Sequence, residues 1–462
     1  MDNSNLKATQ ETLDSYKDPN NPERIGTTLT LETGDTSDAI HISQSADGRL
    51  SVNVNNQTYT FNGPPPTSDT PAKDKPVPFF FLTITTAGGN DSITLDPNVT
   101  ATVTIHAGDG DDTVQAGSGT TTVYGGRGRD HIRLGSGAGY AEGNEGNDTL
   151  IGGTANVVMY GNDGKDVLYA GAGPTTKESY LDGGDGNDRL YAGNGHTVIN
   201  GGKGNDRIVA HDDATIYTGK GFDRVWANGN AARIYAKNSD RLSDTEQSTI
   251  TRVTPSDAGQ RAFSIVGSDA FKQRVEDDLE LLRASPAGRV MLEEMDKAAD
   301  RNGAPVTIEQ SDFINMYGFS TTELEKLNPG DRFKIPRNDS RSGVINNGVA
   351  GAAADQGKIF YYPSFSNPET NASPIVQFYH EMAHAWNGAN GTFLSGSSDP
   401  LPEHPERPGP ENAELQAIGL PTNAPPFDFD NDPSTPPTST NPAPFTENAL
   451  NLEMGKPPRT GY

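Results

Sequence analysis

Seven times the chain closes a glycine-rich loop with an aspartate and, two residues later, an aliphatic side chain. The copies read GDGDDTV, GGRGRDHI, GNEGNDTL, GNDGKDVL, GGDGNDRL, GGKGNDRI and GKGFDRV. Their aspartates are Asp112, Asp130, Asp148, Asp166, Asp188, Asp206 and Asp223, with a partial copy ahead of them at Asp91. The intervals are 21, 18, 18, 18, 22, 18 and 17 residues, close to two nine-residue rungs per turn. A regular period of this length is the mark of a parallel β-roll. Glycine supplies backbone with φ > 0, where a side chain would clash. The aliphatic residue after each aspartate points into a thin core between two sheets. Stacked turns then gather glycine carbonyls and carboxylates into an all-oxygen cage, the donor set that calcium takes at about 2.3–2.6 Å.

Composition agrees. The chain has 462 residues, so two or three domains are expected. It has 52 Gly, 33 Pro and 32% hydrophobic residues, which suits turns and repeats rather than a thick core. The net charge of −26 argues against a basic nucleic-acid groove and suits cation binding. With no cysteine, disulfides and thiolate metal sites are excluded, and zinc would need His and carboxylate ligands. The start, MDNSNLKATQETLDSYKDPNNPER, has neither the basic nor the apolar region of a Sec signal peptide. No window is apolar for long enough to span a membrane.

The repeats resemble the RTX (repeats-in-toxin) nonapeptides over about 140 residues. Between copies the chain reads GSGTTTVY, GSGAGY, GTANVVMY and GNGHTVIN, without aspartate. One column of calcium ions on one side of the roll is therefore expected, held by Asp112, Asp130, Asp148, Asp166, Asp188 and Asp206. Arg127, Arg129, Lys165 and Lys203 stand in the loops and are expected to weaken individual seats.

The remaining chain divides by composition and period. Residues 1–25 are polar and predicted disordered. Residues 26–86 read as short antiparallel strands with a proline-rich break at 63–78. The roll is placed at 87–230. Beyond it the period turns helical, with Phe271, Val275, Leu279 and Leu282, then Val290, Leu292 and Met295. Residues 251–462 are predicted to form a separate α+β domain.

That domain contains FYHEMAHAWN. Ser373 suits a helix N-cap, Pro374 the first helical position and Gly388 the position past the end. His380 and His384 then lie one turn apart on one face, the spacing at which two imidazoles reach one zinc ion. Glu381 is placed to act as general base and acid. A metzincin would require glycine at 387 and histidine at 390; the chain has Asn387 and Asn390. Glu414 in GPENAELQAIGLP is the preferred third ligand, with Glu411 as the alternative and His404 as an outside candidate. The acidic stretch DFDND (428–432) lacks the glycine and glutamate of an EF-hand and reads as a linker. Tyr361 and Tyr362 are candidates for a substrate-binding edge strand, with core packing expected for one of them.

Four segments in order, SIVGSDAFKQRVEDDLELLRASPAGRVMLEEMD, IVQFYHEMAHAWNG, ENAELQAIGLP and TENALNLEMGKPPRTGY, resemble the NleD-like bacterial effector zinc metallopeptidases. The resemblance implies a zincin-like fold of the gluzincin arrangement. It also implies a protease delivered into a host cell and acting on host proteins, signalling kinases among the substrates of relatives. Arg459 and Tyr462 are candidates to approach the site, the Tyr462 hydroxyl to steady an oxyanion; a tail helix packed on the domain is the alternative. The whole reads as a secreted, monomeric zinc endopeptidase carrying a calcium-binding β-roll. A non-catalytic calcium-dependent adhesin with a degenerate peptidase domain is the competing reading, and retention of Glu381 speaks against it.

Overall fold

The computed structural model describes residues 6–13, 26–46, 48–61, 79–228, 232–332, 334–336, 338–364, 373–400, 408–430 and 432–461. The chain separates into two compact units, residues 1–234 with 239–249, and residues 235–238 with 250–462.

The first unit is a parallel β-solenoid of two facing sheets, of 14 and 12 strands. In one sheet the aliphatic residue after each aspartate stacks in register: Val114, Ile132, Leu150, Leu168, Leu190, Ile208 and Val225. All are buried. Val123, Met159, Leu181, Ile199 and Ile216 close on them from the other sheet and are equally buried.

The solenoid extends past both expected ends. Gly26–Glu32 pairs in parallel with Phe79–Thr85, and Ala39–Gln44 with Ser92–Leu95. Residues 26–44 are thus a first rung, and within 26–86 the antiparallel pairing described is the meander from Ala39 to Phe61. Lys7–Leu13, inside the stretch predicted disordered, is a strand pairing antiparallel with Gly26–Glu32. At the other end Arg233–Ala236, Arg241–Ser243 and Thr249–Arg252 continue the two sheets. The proline-rich break lies outside the described residues.

The second unit has a four-stranded sheet in the order Phe263–Val266, Val306–Gln310, Lys358–Tyr361, Met316–Gly318. The last strand alone is antiparallel to its neighbour. The helices Asp269–Ala284 and Pro286–Asn302 start at Ser268 and Ser285, whose side chains accept the N-cap hydrogen bonds. Tyr361 lies on an interior strand, not an edge. It is buried and donates to Asp278 at 2.8 Å, beside the buried Arg274–Asp278 ion pair.

The histidine helix spans Pro374–Asn390 and is buried on nearly every face. Its left-handed C-cap is Gly391, so Gly388 lies inside the helix rather than past its end. The reason is close approach: a Cβ at Gly388 would lie 2.3 Å from the Tyr317 hydroxyl.

Candidate metal centres

The buried histidine helix sets His380 and His384 with their rings at 82° and their Nε2 atoms 3.1 Å apart. The short helix Asn412–Ile418 begins at Glu411, its N-cap, and presents Glu414 in its first turn. Glu414 Oε2 lies 3.4 Å from His380 Nε2, and Oε1 lies 3.5 Å from His384 Nε2. The three ligand atoms fall within 4.8 Å of one another. Glu411 instead lines a cleft of about 620 Å³ with Phe319, Leu324, Ile335, Phe393 and Leu394. Phe393 also packs on His384. Glu381 is buried next to His380.

Sequence reasoning missed one participant. Glu447, on the helix Glu447–Glu453, sets Oε2 2.9 Å from His380 Nδ1. A carboxylate there fixes the ring tautomer and leaves the Nε2 lone pair facing the cluster. Arg459 donates to the same Glu447 oxygen at 3.3 Å, while its own main chain is held by the Asn448 carboxamide. The tail therefore reaches the site through Glu447. Tyr462 and His404 lie outside the described residues. Nothing in the sequence links Glu447 to a residue 67 positions earlier; only the packing of the two helices does.

The electrostatics suit a cation. Burial opposes a charge on His380, yet hydrogen bonds to Glu414 and Glu447 hold it protonated up to about 10 in the metal-free site, a proton that a bound cation would displace from Nε2. Burial likewise opposes ionisation of Glu414, but the two imidazoles draw its carboxyl well below the usual range. Two imidazole nitrogens and an ionised carboxylate converging in a buried pocket are a fitting donor set for zinc. Asn387 and Asn390 serve the scaffold instead. Asn387 exchanges reciprocal amide hydrogen bonds of 2.9 Å with Asn441, and Asn390 accepts from Arg301.

In the solenoid, each aspartate accepts the main-chain N–H of the aspartate one rung before it. The bonds run unbroken from Asp112 to Asp223 at 2.7–2.9 Å. They continue through Asp91 and Asp38 at one end and Asp240 at the other. The second carboxylate oxygen of Asp38, Asp91, Asp112, Asp130, Asp148, Asp166 and Asp188 is buried without a hydrogen-bond partner among the described residues.

Glycine leaves room beside several of these oxygens. A Cβ at Gly125, Gly143 or Gly161 would lie 2.3–2.4 Å from Oδ2 of Asp130, Asp148 or Asp166, and against the carbonyl of the next rung. Gly183 and Gly201 stand in the same relation to Asp188 and Asp206. In register, Ala107 takes the glycine place beside Asp112, and Thr86 and Thr218 take it at the ends. Thr218 donates to Asp240 Oδ2 at 2.7 Å, so a hydroxyl replaces a cation there. Arg127 and Lys203 turn to Glu145 and Asp185, at 3.1 and 2.8 Å, rather than into the column. On the opposite edge the buried Lys177 ammonium donates to the carbonyls of Gly153 and Ala170 at 2.7 and 2.6 Å, and burial pushes it down to about 8.

No curated protein and no solved structure matches the chain. Residues 106–140, 142–176 and 180–208 match the family model of the RTX calcium-binding nonapeptide repeat. Residues 259–462 match the Peptidase_M91 family, described as effector protein. The chain thus joins a segment similar to the Peptidase_M91 effector proteins to a preceding tract of RTX calcium-binding repeats.

Proposed function

We propose that the protein is a secreted bacterial effector zinc endopeptidase carrying a calcium-loaded β-roll. The observation that carries the reading is the convergence of His380, His384 and Glu414, with Glu447 orienting His380. His380, His384 and Glu414 would hold zinc with three protein ligands, the number that catalytic rather than structural zinc sites use. Bound there, zinc would supply Lewis acidity toward a peptide carbonyl and would lower the pKa of a water to about 7.

The chain's own residues do the rest. Glu381 accepts the proton of the attacking water and passes it to the departing amine nitrogen. Glu447 keeps Nδ1 of His380 in its hydrogen bond, so Nε2 stays a donor to the metal. The cleft beside Phe393 and Glu411 receives a substrate side chain and excludes water around it. In the roll, the glycine-cradled rungs of Asp130, Asp148, Asp166, Asp188 and Asp206 seat calcium.

Glu381→Gln tests the reading. The variant is expected to retain stoichiometric zinc and lose peptide-bond cleavage, scored by N-terminal proteomics of a host-cell lysate against wild type. Wild-type protein that binds zinc but produces no new N-termini would overturn it.

A further inference from the structure

Every rung of the 12-stranded sheet turns two side chains outward. In the later rungs they are Arg189 and Tyr191, Arg207 and Val209, Arg224 and Trp226, Arg241 and Ser243, preceded by Val167 and Tyr169. The strands are in parallel register, so the arginines form one row and the aromatic residues another beside it. All four arginines are exposed, and none forms an ion pair among the described residues. No outward position of these strands is acidic, although the chain as a whole carries −26.

Adjacent strands lie about 4.8 Å apart, so the four guanidinium groups repel one another along the row. Such a ladder becomes favourable only against a surface of opposite charge. The neighbouring row is amphipathic. Tyr169 and Tyr191 stack at 4.5 Å, and Arg207 lies 4.7 Å over Trp226. One face of each ring is therefore covered, by the neighbouring ring or by Arg207. Bases of a single-stranded nucleic acid need free ring faces on which to stack. Headgroups of a bilayer need cations and the polar tips of Tyr and Trp at the interface. Phe222, 71% exposed in the loop entering the strand Arg224–Ala227, adds an apolar contact on the same rung.

We propose that this face of the solenoid docks flat on an anionic phospholipid bilayer. The row reads the surface charge of the headgroups, and the aromatic residues settle at the interface without any segment crossing it.

The test uses the full chain in millimolar calcium and sedimentation with phosphatidylserine–phosphatidylcholine vesicles. Wild type is expected to co-sediment, to be released by high salt, and to ignore pure phosphatidylcholine. The combined variant Arg189→Thr, Arg207→Thr, Arg224→Thr and Arg241→Thr should bind at least tenfold more weakly. Threonine already occupies this row at Thr113 and Thr149. The four-lysine counterpart should bind within a few-fold of wild type. Should the threonine variant fail to fold by circular dichroism, quenching of Trp226 by brominated lipid in the wild type decides, since the other tryptophan, Trp386, is buried. Equal binding to neutral vesicles, full binding by a folded threonine variant, absence of quenching, or capture by single-stranded RNA in place of vesicles would each overturn the proposal.

Discussion

Two residues show how local chemistry decides the peptidase unit. Gly388 has the place of a helix stop in the sequence, yet it is a point of contact between the histidine helix and Tyr317. Gly388→Ala is expected to destabilise this unit by about 1–3 kcal/mol through overpacking, read as a lower melting temperature. Glu447 is the other. Glu447→Gln should weaken zinc binding by about 10–100-fold in chelator competition, because the His380 tautomer is then no longer fixed by a carboxylate. The two histidines and the neighbouring glutamate were legible because helical spacing is local. Glu447 and Tyr317 were not, because each meets the helix through tertiary packing that no interval in the sequence encodes.

Among the elements, the aspartate column ties ion binding to folding. Burial foremost, with neighbouring aspartates adding, pushes Asp130, Asp148 and Asp166 up to about 7 and Asp188 up to about 9. Their ordinary value is 3.8, so the calcium-free roll retains protons that an unfolded chain releases. Stability of the calcium-free roll should therefore fall as pH rises from about 4 through about 7 and on toward 9. Saturating calcium should remove the dependence, and thermal melts in EGTA and in calcium check both statements. Gly143→Ala would place a methyl group 2.3 Å from Asp148 Oδ2, and is expected to lower calcium stoichiometry by one ion in isothermal titration. The column was readable from the repeat wherever glycine stands two residues before the aspartate. It was missed at Asp38, in TGDTSDAI, where Thr36 takes that place, and at Asp240, in AKNSDRL, where the loop has no glycine. The arginine row escaped notice for a different reason. Its members are 17 or 18 residues apart, and only strand register makes them neighbours.

Across the whole molecule, each unit has its own core and its own candidate ion site. The solenoid is layered between two sheets, whereas the peptidase unit is built around one buried helix. Calorimetry is expected to show two transitions, the first unit's moved by calcium and the second's by zinc chelation. The sequence separated these two parts because the period changes from the repeat to the helix. It placed the solenoid's ends too far inward, since a rung whose loop departs from the glycine pattern still pairs through its backbone. The rung-by-rung ladder of aspartate carboxylates on main-chain amides also has a mechanical consequence. Each turn is anchored mainly to the next, so a chain pulled from its ends should yield in discrete steps. One 18-residue turn releases about 60 Å of contour length, a sawtooth whose force per tooth would report whether that rung holds its ion.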